Sequence, residues 1–271
     1  MRVLKALSAL SLLLATTTLT AAVVQPIGAS PQILIPASGA SAGLNGTFFR
    51  SDISIINLAT HDQTVLAQWL PQPGLTRPDP VQLQIHAQSG IRSADFVTNF
   101  LGQTGLGAII ITGVQSDGVT LDTTARLFAS ARIWSPLPGS NGTTSQDLVT
   151  LPTSGINNPL AAVFGVGGAD NPSQYRVNVG IINIDPTRTQ KFLMTYTLSN
   201  GAQTNTEVTL PPMTMTQIPA ATPFSPPEIL IQNETDAATR SNLWTAYGST
   251  INNVTGDAST EIAVAGTTPQ T

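Results

Sequence analysis

The phrase FRSDISIIN at residues 49–57 returns 126 residues later as YRVNVGIIN at residues 175–183. That period far exceeds the 20–50 residues of solenoid or propeller units, so it predicts two tandem domains rather than a repeat array. In the first copy Ile53 and Ile55 fall on one face of an extended chain and Asp52 and Ser54 on the other. This period of two is the pattern of a half-buried strand. A turn, ATHD, leads to TVLAQWLP, where Val65, Ala67 and Trp69 share a face. The second copy follows the same plan: Val177, Val179 and Ile181 alternate with polar or small residues, DPTRT turns, and Phe192, Met194 and Tyr196 share a face. Each pair of segments reads as a β-hairpin, with Trp69 and Tyr196 at equivalent places.

The parallel extends further. VQLQI at residues 81–85 matches VTL at 208–210, the apolar run GAIIITGV matches EILIQ, and FASARIW matches AYGSTIN. Gly-containing turns SNGTT and VTGDA then lead to closing strands in DLVTL and EIAVA. Short strands at turn spacing, with 22 Gly and 20 Pro in 271 residues, predict an all-β chain of two tandem antiparallel Ig-like β-sandwich domains related by internal duplication. One short helix is expected at residues 93–102, where Ala94, Val97 and Leu101 stand at helical spacing; the second half has no clear partner for it. The boundary falls in TLPTSGINNP, giving domains at residues 31–152 and 153–271.

Residues 1–22 read as a signal peptide. Arg2 and Lys5 form a basic start, an apolar stretch too short to span a bilayer comfortably follows, and Thr20 to Ala22 offer small residues for cleavage. The mature chain is then expected outside the cytoplasm and not membrane-spanning. It contains no Cys, so core area and strand pairing must replace disulfides. Only 10% of residues are charged, with 11 Lys and Arg against 15 Asp and Glu, which removes the basic surface a nucleic-acid partner requires. Sequons at Asn45, Asn141, Asn233 and Asn253 are matches of the kind that arise by chance in a chain rich in Asn, Thr and Gly.

Catalytic patterns are sparse. His61 lies in a turn beside Asp62, His86 follows an alternating strand, and neither has a nucleophile elbow or a metal-binding helix around it. GVGGAD at residues 165–170 departs from both phosphate-loop spacings and precedes a strand where a phosphate site needs a helix. The clusters around Asp117 and Asp122, Asp170 and Asn171, and Asn252, Asn253 and Asp257 lack the ligand density of a calcium loop. No cofactor and no metal is expected. Arg50 and Arg176 are the candidates for ligand or partner contacts, because Arg is scarce and both occupy the same repeat position. The same pattern also suits an outward Arg whose stem covers an aromatic ring and whose head pairs across the strand. Asn57 and Asn183 each close a strand just before a turn, where the amide can bond to backbone two residues on.

The segments IPASGASAGLNGTFFRSDISIINLATHDQTVLAQWLP, SADFVTNFLGQTGLGAIIITG, ASARIW, VFGVGGADNPSQYRVNVGIIN and AYGSTINNVTGD together cover most of the mature length. In them the chain resembles a family of secreted bacterial tandem β-sandwich (Ig-like) repeat proteins. The resemblance implies fold and export and brings no catalytic residues. The function expected from all this is a secreted, non-enzymatic structural or binding module at or outside the cell surface, its partner an extracellular protein or glycan. A carbohydrate-binding or carbohydrate-active protein is the alternative, and a self-assembling surface subunit the next.

Overall fold

The computed structural model describes residues 28–43, 46–137, 139, 141–166, 174–198, 200–220 and 228–266. The predicted signal segment, Asn45, and Asp170 with Asn171 lie outside these residues. The first half contains β1 (Gln32–Ala42), β2 (Phe48–Asn57), β3 (Gln63–Pro71), β4 (Val81–Ile85), β5 (Ser89–Ser93), the short helix α1 (Phe96–Asn99), β6 (Gly105–Val114), β7 (Leu127–Pro136), β8 (Thr143–Leu148) and β9 (Leu151–Pro152). The second half contains β10 (Leu160–Phe164), β11 (Tyr175–Asn183), β12 (Gln190–Thr197), β13 (Gln203–Leu210), β14 (Thr214–Pro219), β15 (Glu228–Asn233), β16 (Trp244–Asn252), β17 (Ala258–Ile262) and β18 (Val264–Gly266). The fold is all-β, built of antiparallel sheets.

The two halves repeat one pairing scheme. In the first, β1 pairs β6 and β9, β2 pairs β5 and β7, β3 pairs β4 and β6, and β7 pairs β8. In the second, β10 pairs β15 and β18, β11 pairs β14 and β16, β12 pairs β13 and β15, and β16 pairs β17. Register agrees as well: Trp69 stands opposite Ile109 where Tyr196 stands opposite Ile229. In the first half β1 also reaches β2, and its ladder shifts between Ile35 and Ser38. Pro36 lies in that shift and has no N–H to continue the ladder. The bend lets β1 cross from one layer to the other, so the first-half strands form one nine-stranded sheet.

The predicted hairpins are corrected. β2 does not pair with β3, nor β11 with β12; each turn carries the chain from one layer of the sandwich to the other. The physical reason is that both strands of each pair bury an apolar face, and two buried faces are best satisfied by opposing one another across a core. Ile53 and Ile55 meet Val65, Ala67 and Trp69 in this way, and Val179 and Ile181 meet Phe192, Met194 and Tyr196. Ile55 and Ile181 are both fully buried. The closing segments also differ from expectation: β8 and β17 begin earlier than the sequence suggests, and short β9 and β18 then join the opposite layer. The helix expected over residues 93–102 is a single turn, Phe96–Asn99, with Phe96 and Val97 buried and Asp95 accepting from the Thr98 amide; Ser93 belongs to β5.

Each half has its own core, but the first half's core also takes in residues of the second. In β6 the inward residues Ile109 and Ile111 pack with Trp69, while Ala108 and Ile110 point the other way together with Leu34 and Leu70. All of these are buried, and their cluster extends to Ile182, Ile184, Met215 and Tyr247 of the second half. The sandwiches are therefore stacked sheet on sheet, as four layers. Gly180 leaves room for the Tyr247 ring in that seam: a Cβ there would stand 2.0 Å from its Cε1. The second half's other outer layer is not covered this way. At the places of Leu70 and Ala108 it carries Thr197 and Glu228.

Candidate functional site

Arg50 and Arg176 occupy equivalent register positions, opposite Trp134 and Ile251 respectively. Their surroundings are different. Arg50 lies over Phe48 and Trp134, its Cζ 4.8 Å and 5.7 Å from the ring centroids, and its Nε is 3.4 Å from Asp95 Oδ2. Asp95 caps the helix, and Trp134 Nε1 donates to the Ala94 carbonyl at 2.7 Å. Arg50 thus fastens the helix N-terminus to the sheet, which is the scaffold role.

Arg176 points into a cleft between the halves, of about 430 Å³. One wall comes from the bent end of β1, from β8 and from Leu137; the other from the outward residues of β11, β14 and β16 and from the turn at 252–256. Arg176 is the one charged residue among the described residues lining it. Its Nη1 donates to Asn253 Oδ1, and no carboxylate pairs with it among the described residues. Burial pushes its guanidinium below the ordinary Arg value.

Amides crowd around that cation. Gln146 Nε2 reaches across the cleft to Ser249 Oγ at 3.0 Å and to the Ser259 carbonyl, and Thr144 Oγ1 donates to the Gly256 carbonyl. These bonds tie the halves together along one side. Tyr247 donates its hydroxyl to Gln217 Oε1 at 2.7 Å, leaving Nε2 as the free end of that amide. The Asn178 side chain also faces the cleft. Its amide and Gln217 Nε2 have no hydrogen-bond partner among the described residues. The cleft can therefore present one partly buried cation and two amides to a guest. Arg176, and Asn252 with Asn253 as a polar cluster, were legible in the sequence; Asn178, Gln217, Gln146 and Ser249 were not, because nothing local marks a residue that meets another half of the chain.

The remaining candidates serve the scaffold. His86 Nδ1 lies 3.0 Å from Asp62 Oδ2, and Asp62 Oδ1 accepts from the Ala87 amide at 2.9 Å. The pair is widely exposed, 82% and 62% for the two side chains, and joins the turn after β2 to the turn after β4. The His86 hydrogen bond is the main cause holding the Asp62 carboxyl below its ordinary value. Asn233, one of the sequon residues, is buried, with Nδ2 donating to Gln190 Oε1 and to the Ser241 carbonyl. Among the described residues no group of three or more His, Cys, Asp or Glu could hold a metal ion, and no helix is long and apolar enough to cross a membrane.

A charged cluster not anticipated from sequence lies on the first half's outer face. Asp52 is nearly buried and accepts from Arg92 Nε at 2.9 Å and Nη2 at 2.6 Å, and from Arg132 Nε at 3.1 Å. The Arg92 hydrogen bonds are the chief cause that holds its carboxyl below the ordinary 3.8, against the opposing effect of burial. A depressed folded pKa contributes stability above the unfolded value, and this is lost as pH falls below about 4 through the folded value. Asp52→Asn is expected to cost about 2 kcal/mol at neutral pH and to flatten the acid limb of the stability profile. Urea midpoints at pH 7 and pH 3 measure this; equal acid sensitivity in the variant would refute it.

Neither a protein-family model, nor a curated protein, nor a solved structure matches this chain.

Proposed function

We propose that the chain is an exported, non-enzymatic binding module of two Ig-like β-sandwich repeats that arose by internal duplication, acting at or outside the cell surface. The observation that carries this reading is the cleft between the halves, into which Arg176 projects without a carboxylate partner among the described residues. A cavity of this size with a few convergent polar groups on an otherwise mixed lining is the usual form of a ligand site. An extracellular glycan or peptide is the expected guest. The sugar-stacking platform that a carbohydrate binder commonly uses is not offered by Trp69 or Trp244, which are buried, and Arg50 lies over Trp134.

The test is capture on glycan and peptide arrays by the intact chain and by Asn178→Trp, which fills the cleft without removing a hydrogen bond made among the described residues. Wild type is expected to capture a probe that the variant does not. Identical capture by both overturns the reading. So does hydrolysis of a probe that is abolished by replacing His61 and His86 with Gln while the fold survives.

A further inference from the structure

We infer that the cleft selects a hydroxylated carboxylate, with a uronate unit of an acidic glycan as the guest it fits best. This rests on the reading of the cleft as a binding site and adds the chemistry of its occupant. Three observations lead to it.

The first is charge. The guanidinium of Arg176 presents a planar fork of N–H donors, of which the described structure assigns one, Nη1, to an uncharged acceptor, Asn253 Oδ1. A cation drawn partly out of water gains most from an anion, and the fork matches a carboxylate in a bidentate arrangement. A phosphate monoester carries about −1.5 to −2 near neutral pH. With no second cation among the described lining residues, such a group would bring uncompensated negative charge into the cleft, whereas a carboxylate is balanced by Arg176 alone.

The second is the set of unoccupied amides. Asn178 and Gln217 lie on the same face of neighbouring strands as Arg176, since Gly180 pairs Gln217 and Asn178 is two residues along. Asn178 retains both donor and acceptor capacity, and Gln217 retains its NH₂ end. A ligand that satisfies them needs several hydroxyl or ether oxygens beside its carboxylate.

The third is the apolar part of the lining, Phe49 and Ile133 on the first half's side and Ile251 beside Arg176 on the second's. All three are half-buried, so they offer an apolar surface to the C–H face of a pyranose ring. A volume of about 430 Å³ has room for a short oligosaccharide.

Titration calorimetry with the intact chain tests this against five probes: digalacturonate, its dimethyl ester, an uncharged galactose disaccharide, a sulfated galactose disaccharide, and the open-chain acid galactonate. Digalacturonate is expected to bind, and esterification to weaken it about tenfold or more, the worth of one charge-assisted hydrogen bond. Arg176→Gln is expected to lose the same factor at an unchanged Tm, while Arg50→Gln binds as wild type. Equal affinity for galactonate would leave carboxylate selection standing and assign the source as a free hydroxy acid. Equal affinity for the ester, a preference for the sulfated sugar, wild-type affinity in Arg176→Gln, or no binding of either acid would each overturn the inference. Uncharged sugar bound in the cleft and blocked by Asn178→Trp would overturn it while sparing the binding-module reading. An absence of capture on the arrays removes both.

Discussion

Trp69→Ala and Tyr196→Ala are each expected to lower stability by about 3–5 kcal/mol, the range for truncating a large buried aromatic side chain. Both are at or near zero exposure and hold equivalent register positions in β3 and β12. Neither site can collapse easily. The Trp69 ring lies so close to Gly107 that a Cβ there would be 2.4 Å from Cζ2, and the rest of the ring is enclosed by isoleucines of β1 and β6. Tyr196 is packed with Met194, Ile229 and Ile231. Urea unfolding measures the loss, and a cost below about 1 kcal/mol for either would place that ring outside its core. The shared cluster adds a sharper expectation. Because Ile182, Met215 and Tyr247 belong to the first half's core, both variants should shift one common transition. Two separated transitions would show that the stacked faces contribute little.

The second large effect concerns the asparagines that end β2 and β11. Asn57 Nδ2 donates to the carbonyls of His61, Ile85 and His86, and its Oδ1 accepts from the Ala59 amide. Asn183 does the same with the carbonyls of Arg188, Leu210 and Pro211 and the Asp185 amide. Each side chain is fully buried and pins the turn between layers to the end of β4 or β13. Replacing either by Ala strands several buried backbone groups and is expected to cost about 2–4 kcal/mol. Asp is the informative companion. It keeps the bond to the amide two residues on, but its carboxylate meets carbonyl oxygens where the NH₂ stood. If the local turn bond were the whole role, Asp would restore stability; it is expected to be at least as damaging as Ala. Thermal melts of Asn57→Asp and Asn183→Asp decide between the two.

Much of this architecture is legible residue by residue. Alternation in DISIIN and VNVGIIN assigns the inward residues, and the correspondence of EILIQ with GAIIITGV and of AYGSTIN with FASARIW is confirmed by strand pairing. The contrast within one of these pairs carried more information than the sequence reading took from it. In EILIQ the core face is apolar while the outward face carries Glu228, Leu230 and Gln232, whereas GAIIITGV is apolar on both faces apart from Thr112, because both faces of β6 are covered. Strands with weak patterns escaped: β1 reads as a Pro, Ala, Gly and Ser stretch, and β5 and β14 are short and half-exposed.

Local patterning by itself determined the strongly alternating strands and which side of each is apolar, and showed that the two halves carry matching phrases. These follow from the period of the backbone, a property of a few consecutive residues. Tertiary structure alone decided which strands are partners, because two alternating strands joined by a turn can pair in one sheet or oppose each other across a core with the same residues buried. It also decided the fate of the two arginines at matching places. Both stand at the same place in the same phrase, yet stacking covers the sheet face of only one of them. Arg50 remains on an outer layer with rings and a carboxylate within reach, while Arg176 is carried into the cleft, where its charge is balanced by none of the described residues around it.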